Sequence, residues 1–540
     1  MLSLKIADKN VDLPDDFSFT MNLKSPIFGE VGSYSYPFKI PVTPRNARIL
    51  DFVHRIESTA DVYRSDQGAF SWNGLTLFQG AVRLKSLNPK TYEGSIFEGE
   101  GDFYYQRKNM SLQQIDFGTR TFADETDKFD FINGCSLNYY PSRDVAFPRI
   151  YNLKYFDPPT TDAGQMWINN YINGYIGMLT PSSNPTIIIP MLYLRYVLSV
   201  IFAKLSYTLD NSFFSAHPEF NLCAIYNSVT CWETANGYFQ YPFNKILYNY
   251  HVPQMNLNDF LTGLETFFNI RFFLDNKNRR VKILSLDDII KSPVCSENIT
   301  KIISKSIEIE EKILGFKLEM ELDSGDTETE NISTYDETQF GFIRDTVPTL
   351  NDLPCWPGSA ELDIRYVVET KSFYRMISGS WVLFDLVNFI TYTKYLYKMA
   401  EGESLSTAVS PLFETGQAEA EVGCQRENWR EVPCRLFFLT PVYDAGSFYA
   451  MRANSYTTGM SLFYNGADGL FNKQFKAFLD FRMSAKLVRI TAQLSYRELQ
   501  NFDFSQKYMI GGIRYLVKSL QVTIKKDRIM PSLLECYNCS

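Results

Sequence analysis

Residues 69–97, AFSWNGLTLFQGAVRLKSLNPKTYEGSIF, constrain the fold most, because two turn-forming sites divide one alternating run into three strand-length pieces. Asn73-Gly74 is the pair that a two-residue type I′ turn demands, since both of its central residues need positive φ. Asn88-Pro89 followed by Lys90 marks the next reversal. Between the turns Ala81, Arg83 and Lys85 point one way and Val82, Leu84 and Ser86 the other, the period of two of a half-buried strand. A meander of this kind predicts a small barrel or sandwich.

The flanking sequence extends this sheet domain over residues 1–118. LSLKIADKNVDL (2–13) alternates like a hairpin, SFTMNL (18–23) is a short strand ending before Pro26, and Pro37, Pro41 and Pro44 keep residues 34–46 extended. The pattern then changes to helix followed by strand, twice, about 65 residues apart. The first unit predicts a helix over 190–204, with Pro190 at its first position and polar residues before Lys204 confined to Arg195 and Ser199. The second places Leu257, Phe260, Leu261, Leu264, Phe267 and Phe268 on one helical stripe, with Asn256 as N-cap and Asp259 in the first turn. Leu209-Asp210-Asn211 and Leu274-Asp275-Asn276 close the two units alike and hint at a duplicated element.

From Ile307 the chain alternates again, with Phe316, Leu318, Met320 and Leu322 opposite Lys317, Glu319 and Glu321, before the acidic loop DSGDTETEN (323–331). Sheet returns at the end, after a helix over 470–480, in KLVRITAQLSY, YMIGGIRYLVKSLQVTIKK and a last strand around MPSLLECY. The expected fold is mainly β with α+β insertions: two small β-barrels separated by helix-plus-sheet domains. Its divisions are 1–118, 119–250 with the first helix, 251–300, strands 301–345 belonging to the second barrel, an irregular 346–432, and 433–540.

Composition excludes several classes. A formal charge of -8 gives no general attraction for phosphate backbones, while 43 Phe and 34 Tyr favour sheets and large apolar contacts. The first sixteen residues contain no apolar core of a signal peptide, and nine scattered cysteines fit reduced structural thiols, which predicts synthesis in a cytoplasm. The most apolar window, Ile189 to Leu205, carries Arg195 and Lys204 and falls short of the ~20 residues of a membrane span.

The chain carries no phosphate-binding Walker loop, dinucleotide fingerprint or nucleophile elbow. His54, His217 and His251 share no ligand spacing, and Cys536 and Cys539 form a lone CxxC with no second pair, so neither a catalytic residue, a metal nor a cofactor is expected. Asp323-Ser324-Gly325 resembles half of an aspartic-protease dyad, but Asp326, Glu328 and Glu330 crowd it and no second copy occurs. A carboxylate pair of glycosidase type stays open, because its separation is a three-dimensional quantity.

Several stretches together resemble the tail hub (baseplate hub) proteins of tailed bacteriophages, particularly those of Bacteroidetes phages and prophages. They are residues 13–50, residues 72–96, the helix-plus-strand units beginning YLRYVLSVIFAK (193–204) and LNDFLTGLETFF (257–268), and the run from Gly469 to Tyr537. The resemblance implies a virion protein assembled in the host cytoplasm: a homotrimeric ring of two barrels per subunit, joining a sixfold tail tube to a tip, spike or fibre complex, with the tape measure as a further partner. It also implies a channel through which DNA passes without adhering. Under that reading some of Glu308, Glu310, Glu311, Glu319 and Glu321 face the channel, where carboxylates repel phosphates; a solvated strand face is the plainer reading. Two rivals accompany it, a carbohydrate- or receptor-binding module and a cell-wall hydrolase using an Asp/Glu pair.

Overall fold

The computed structural model describes residues 2–97 apart from 29–32 and 64–65, residues 110–148 apart from 136–137, and residues 188–226. It also describes residues 245–310 apart from 254, 276–277 and 294, residues 467–539 apart from 526–527, and shorter pieces between 150 and 462. The chain divides into two compact units, one of Met1–Asn109, Leu261–Leu314 and Gln474–Ser540, the other of Met110–Phe260 and Gly315–Lys473.

The first unit is built on a sheet of fifteen described strands. Numbered within this sheet in chain order, they are β1 (Leu2–Ile6), β2 (Lys9–Asn10), β3 (Phe19–Lys24), β4 (Tyr34–Ser35), β5 (Phe38–Pro41), β6 (Asp66–Trp72), β7 (Leu75–Leu87) and β8 (Thr91–Phe97). After the insertions come β9 (Cys295–Ile299), β10 (Ile302–Glu308), β11 (Leu487–Ala492), β12 (Lys507–Ile510), β13 (Ile513–Lys525), β14 (Arg528–Ile529) and β15 (Ser532–Cys539). Asn73 (φ 51°) and Gly74 (φ 84°) make the expected turn between β6 and β7. Gly511 (φ 59°) and Gly512 (φ 81°) make the same turn between β12 and β13.

That second turn exposes a duplication. The main path of the sheet is β2-β1-β6-β7-β8-β4-β3-β13-β15-β11-β10, with β12 beside β13. In the first half β6, β7, β8, β4 and β3 are neighbours in that order; in the second, β12, β13, β15, β11 and β10 are, and every pairing within both series is antiparallel. The chain visits equivalent strands in the same sequence, edge strand first. β7 and β13 are each thirteen residues long. A short helix precedes β6 and another precedes β12: Pro44–Ile49, capped by the Thr43 side chain, and Tyr496–Gln500, capped by Ser495 with Glu498 completing the capping box.

The halves are joined by β3 and β13, paired from Phe19 with Ile524 to Lys24 with Ser519. One hydrophobic core spans the seam. It includes Phe19 stacked on Phe70 at 4.0 Å between centroids, Phe78 and Tyr92 from the first half, and Tyr515, Val522, Ile524 and Leu534 from the second. The barrels expected at the two ends therefore stand as one open sheet: among the described residues neither half closes on itself, because β3 spends its outer edge on β13. β7 departs from strict alternation too, with a bulge between Leu84 and Ser86.

Beside the second half lies a short helix, Leu286–Lys291, held at both ends by other parts of the unit. Ser285 caps its start, and buried Asp287 accepts the backbone N–H of Phe478 at 2.9 Å, capping the helix Lys476–Ser484 while pairing with Lys291 at 2.6 Å. At its other end the buried Lys507 ammonium donates to the carbonyls of Ile290 and Ser292, both at 2.7 Å. These are last-turn carbonyls without intrahelical partners, so a cation supplies what a cap would.

In the second unit the helix Leu194–Lys204 is buried along Leu194, Val197, Leu198, Ile201 and Phe202. It begins four residues later than Pro190 suggested, because Met191–Leu192 pair with Val145–Ala146 as strand. Cys223–Ile225, Leu436–Val442 and Phe448–Arg452 form a three-stranded antiparallel sheet. The helix Leu257–Phe268, which belongs to the first unit from Leu261 onward, has the predicted bounds, and the side chain of Asn256 accepts the N–H of Asn258 at 2.9 Å. Residues 346–432, read as irregular, contain an antiparallel meander of Ile364–Val367, Ser372–Ile377 and Ser380–Phe384. The loop at Asp323-Ser324-Gly325 lies outside the described residues. No described helix is long and apolar enough to cross a membrane.

Replacing Lys507 by Met keeps most of the stem's volume and removes the ammonium with both of its hydrogen bonds. The variant is expected to lose roughly 1.5–3 kcal/mol in urea unfolding, with Lys507→Arg losing less; an unchanged midpoint for the Met variant would show that the helix end does not depend on this cation.

Candidate functional site

A described feature of the first unit that its own fold leaves unfinished is strand β10. It is the last strand on the path of the sheet and pairs only with β11, so its outer row of N–H and C=O groups faces no other described strand. None of its seven residues is buried. Lys305 is opposite Ile490 and Ile307 opposite Val488, and both partners belong to the core, so the apolar face of the sheet continues past the point where the core ends. Ile303, Ile307 and Ile309 are 58%, 62% and 99% exposed. Folded proteins usually blunt such an edge with a short strand, a turn or lysines. The opposite end of the sheet is blunted in that way: β2 has two exposed residues, one of them Lys9, and follows a turn through Ala7 and Asp8 at φ 48° and 60°.

The other face of β10 carries charge in a ladder. Glu308 pairs with Arg489 at 3.1 Å, Arg489 with Glu535 at 3.1 Å, and Glu535 accepts the Ser519 hydroxyl at 3.0 Å. Just beyond the strand, Glu310 accepts the Tyr537 hydroxyl at 3.0 Å and lies 4.0 Å from the Lys518 ammonium. The Arg482 guanidinium sits over the rings of both Phe28 and Tyr537, 5.3 Å and 5.1 Å from their centroids. Burial pushes the Tyr537 hydroxyl up to about 12, opposed by the charge of Arg482 and aided by the hydrogen bond and charge of Glu310. Burial works against the charged form of Glu535, but the hydrogen bonds from Ser519 and Arg489 and the charges of Arg489 and Lys518 outweigh it and hold the carboxyl below its ordinary range.

Two of the five predicted acidic residues, Glu308 and Glu310, thus fall beside one another at this edge, each with a cation; Glu311, Glu319 and Glu321 lie outside the described residues. Arg489, Lys518, Arg482 and Tyr537 were not among the sequence candidates. They come from far downstream, Tyr537 lying 227 residues from Glu310, and nothing local in those segments announces a partner. The histidines remain apart: His54 Nδ1 is 2.6 Å from the Tyr92 hydroxyl, His217 is 3.6 Å from Glu219, and His251 is buried in the second unit. Cys536 is buried and Cys539 half-buried on β15. Among the described residues no three His, Cys, Asp or Glu side chains gather as a metal site. The arrangement offers an unpaired strand edge flanked by ion pairs.

No family model and no curated protein matches the chain. Among solved structures it is similar to the 43 kDa tail protein of prophage MuSo2 from Shewanella oneidensis, at 7% identity and a TM-score of 0.32, over 99% of this chain and 97% of that one. It is also similar to the tail protein from Neisseria meningitidis MC58, at 9% identity and a TM-score of 0.30, over 99% of this chain and 95% of that one.

Because the folded Glu535 carboxyl ionises more readily than the ordinary value of 4.5, its contribution to stability is complete above that value and is lost as pH falls through the depressed one. Thermal unfolding of the protein and of Glu535→Gln should therefore differ most near neutral pH and converge as the pH falls below the ordinary carboxylate range. A difference that persists or grows on acidification would refute the ion-pair account.

Proposed function

We propose that this protein is a structural component of a bacteriophage tail, the hub through which the tail tube meets the tip, spike or fibre complex, and that three copies form a ring. The observation that supports the reading best is the duplicated strand order within one chain. A chain with two equivalent modules, used three times, presents six similar surfaces towards a sixfold tube and three identical ones towards a threefold tip. Matching symmetries needs surfaces and no catalytic residue. The resemblance of the sequence to tail hubs supports the same assignment.

In this reading the modules, side by side in a ring, complete the walls that a single chain leaves open, and each takes the place of a barrel. The ring encloses the path of the DNA. Its lining includes the charged face at Glu308 and Glu310, with Glu311, Glu319 and Glu321 following in the chain. The protein belongs to the virion tail after assembly in the bacterial cytoplasm, and the tape measure is a further partner.

Light scattering of the full chain, across a concentration series, should reveal a species of three times 62.4 kDa. Electron microscopy of that species should show six similar densities around a central opening. A compact dimer, or a trimer without an opening, would rule the ring out.

A further inference from the structure

We propose that β10 of one copy adds to the sheet of a second copy along the open half of its β7, residues Leu84–Leu87. The proposal rests on the ring reading for the number of copies, but the choice of edges comes from the duplication. In the series β7-β8-β4-β3 and β13-β15-β11-β10, β10 holds the position of β3, and β7 holds the position of β13. Within one chain β3 pairs with the second half of β13, Ser519 to Ile524. The equivalent partner for β10 is the second half of β7.

That half of β7 has room. Its pairing with β6 ends at Val82, while β8 covers its other side as far as Leu87. On the side of β6 no described strand lies against Leu84–Leu87, and Lys85 and Ser86 are exposed. The equivalent pairing is antiparallel, so the Glu308 end of β10 lies towards Leu84 and its Ile302 end towards Leu87. β7 itself cannot serve as the occupant's twin, because the two surfaces differ. The contact is therefore head-to-tail, the kind that closes into a ring when the rotation allows. One such strand pairing is small beside the roughly 1,200 Å² of a stable interface, so the ring draws its stability from closing three contacts together. Covering Ile303, Ile307 and Ile309 removes the apolar surface that the single chain leaves in water.

Cysteine cross-linking of the full chain tests the pairing and reads its register. Lys85→Cys is combined in turn with Ser304→Cys, Ser306→Cys and Glu308→Cys, with the wild type controlling for native thiols. Under mild oxidation at least one double variant should give covalent dimers and trimers on a non-reducing gel, and an equimolar mixture of its two single variants should stop at dimers. Ile307→Lys, a change at an exposed position, should keep the melting temperature and lose the trimer. A trimer by light scattering without any of these cross-links would overturn the edge assignment and leave the ring reading intact. Disulfide-linked dimers from Glu308→Cys alone would replace it with a twofold pairing of β10 strands. A chain that stays monomeric at its highest soluble concentration would count against both.

Discussion

The pairing of β3 with β13 is the interaction on which the rest of the first unit depends. Thr20 and Thr523, whose hydroxyls meet at 2.9 Å across this seam, are 503 residues apart in the chain. Loop-closure entropy grows only logarithmically with length, so the separation is tolerable once the residues beneath the seam are buried. Phe19 and Met21 from one strand and Val522 and Ile524 from the other are all fully buried, and each contributes about 1.5–3 kcal/mol. The same long separation makes the seam a late, non-local event in folding, whereas each hairpin turn is local.

This seam also explains why the sheet ends where it does. Each half has one strand at the far end of its series, and the two are treated differently. In the first half β3 is covered by the second half of the same chain; in the second half β10 has no counterpart within the chain to cover it. The asymmetry follows from having two modules in an open row, since a row of repeats must end in an unfilled position. Nature usually blunts such an end. Here β2 is cut short at two residues, whereas β10 runs for seven with Lys305 as its one lysine.

The charged face of β10 shows how long-range pairing alters the meaning of a residue. Glu308 and Glu310 are part of an acidic run in the sequence, but in the fold each is set against a cation from the closing strands or near them. Half-exposed pairs of this kind contribute little stability singly. Their effect is on the surface potential: the edge presents alternating charges, which suits register and partner choice more than simple repulsion.

Much of the local structure was legible before any coordinates. The Asn73-Gly74 turn, the helix Leu257–Phe268 and the strands of the last seventy residues follow from positive-φ pairs, a stripe at helical spacing and alternation, all of which act between residues close in the chain. The helix start at Leu194 and the meander within 346–432 were less so, since strand pairing with distant partners decides them. The repeated order of the two halves left almost no mark in the sequence: Asn-Gly in one turn and Gly-Gly in the other satisfy the same backbone geometry with different residues. What the sequence determined by itself, then, was the local hairpin turns and the helix Leu257–Phe268, while the helix Pro44–Ile49 stands where extended chain was expected. Only the tertiary structure decided that the ends of the chain share one sheet and that β10 is left open, because hydrogen-bond pairing between strands depends on which backbone edges meet, and backbone edges are the same for every sequence.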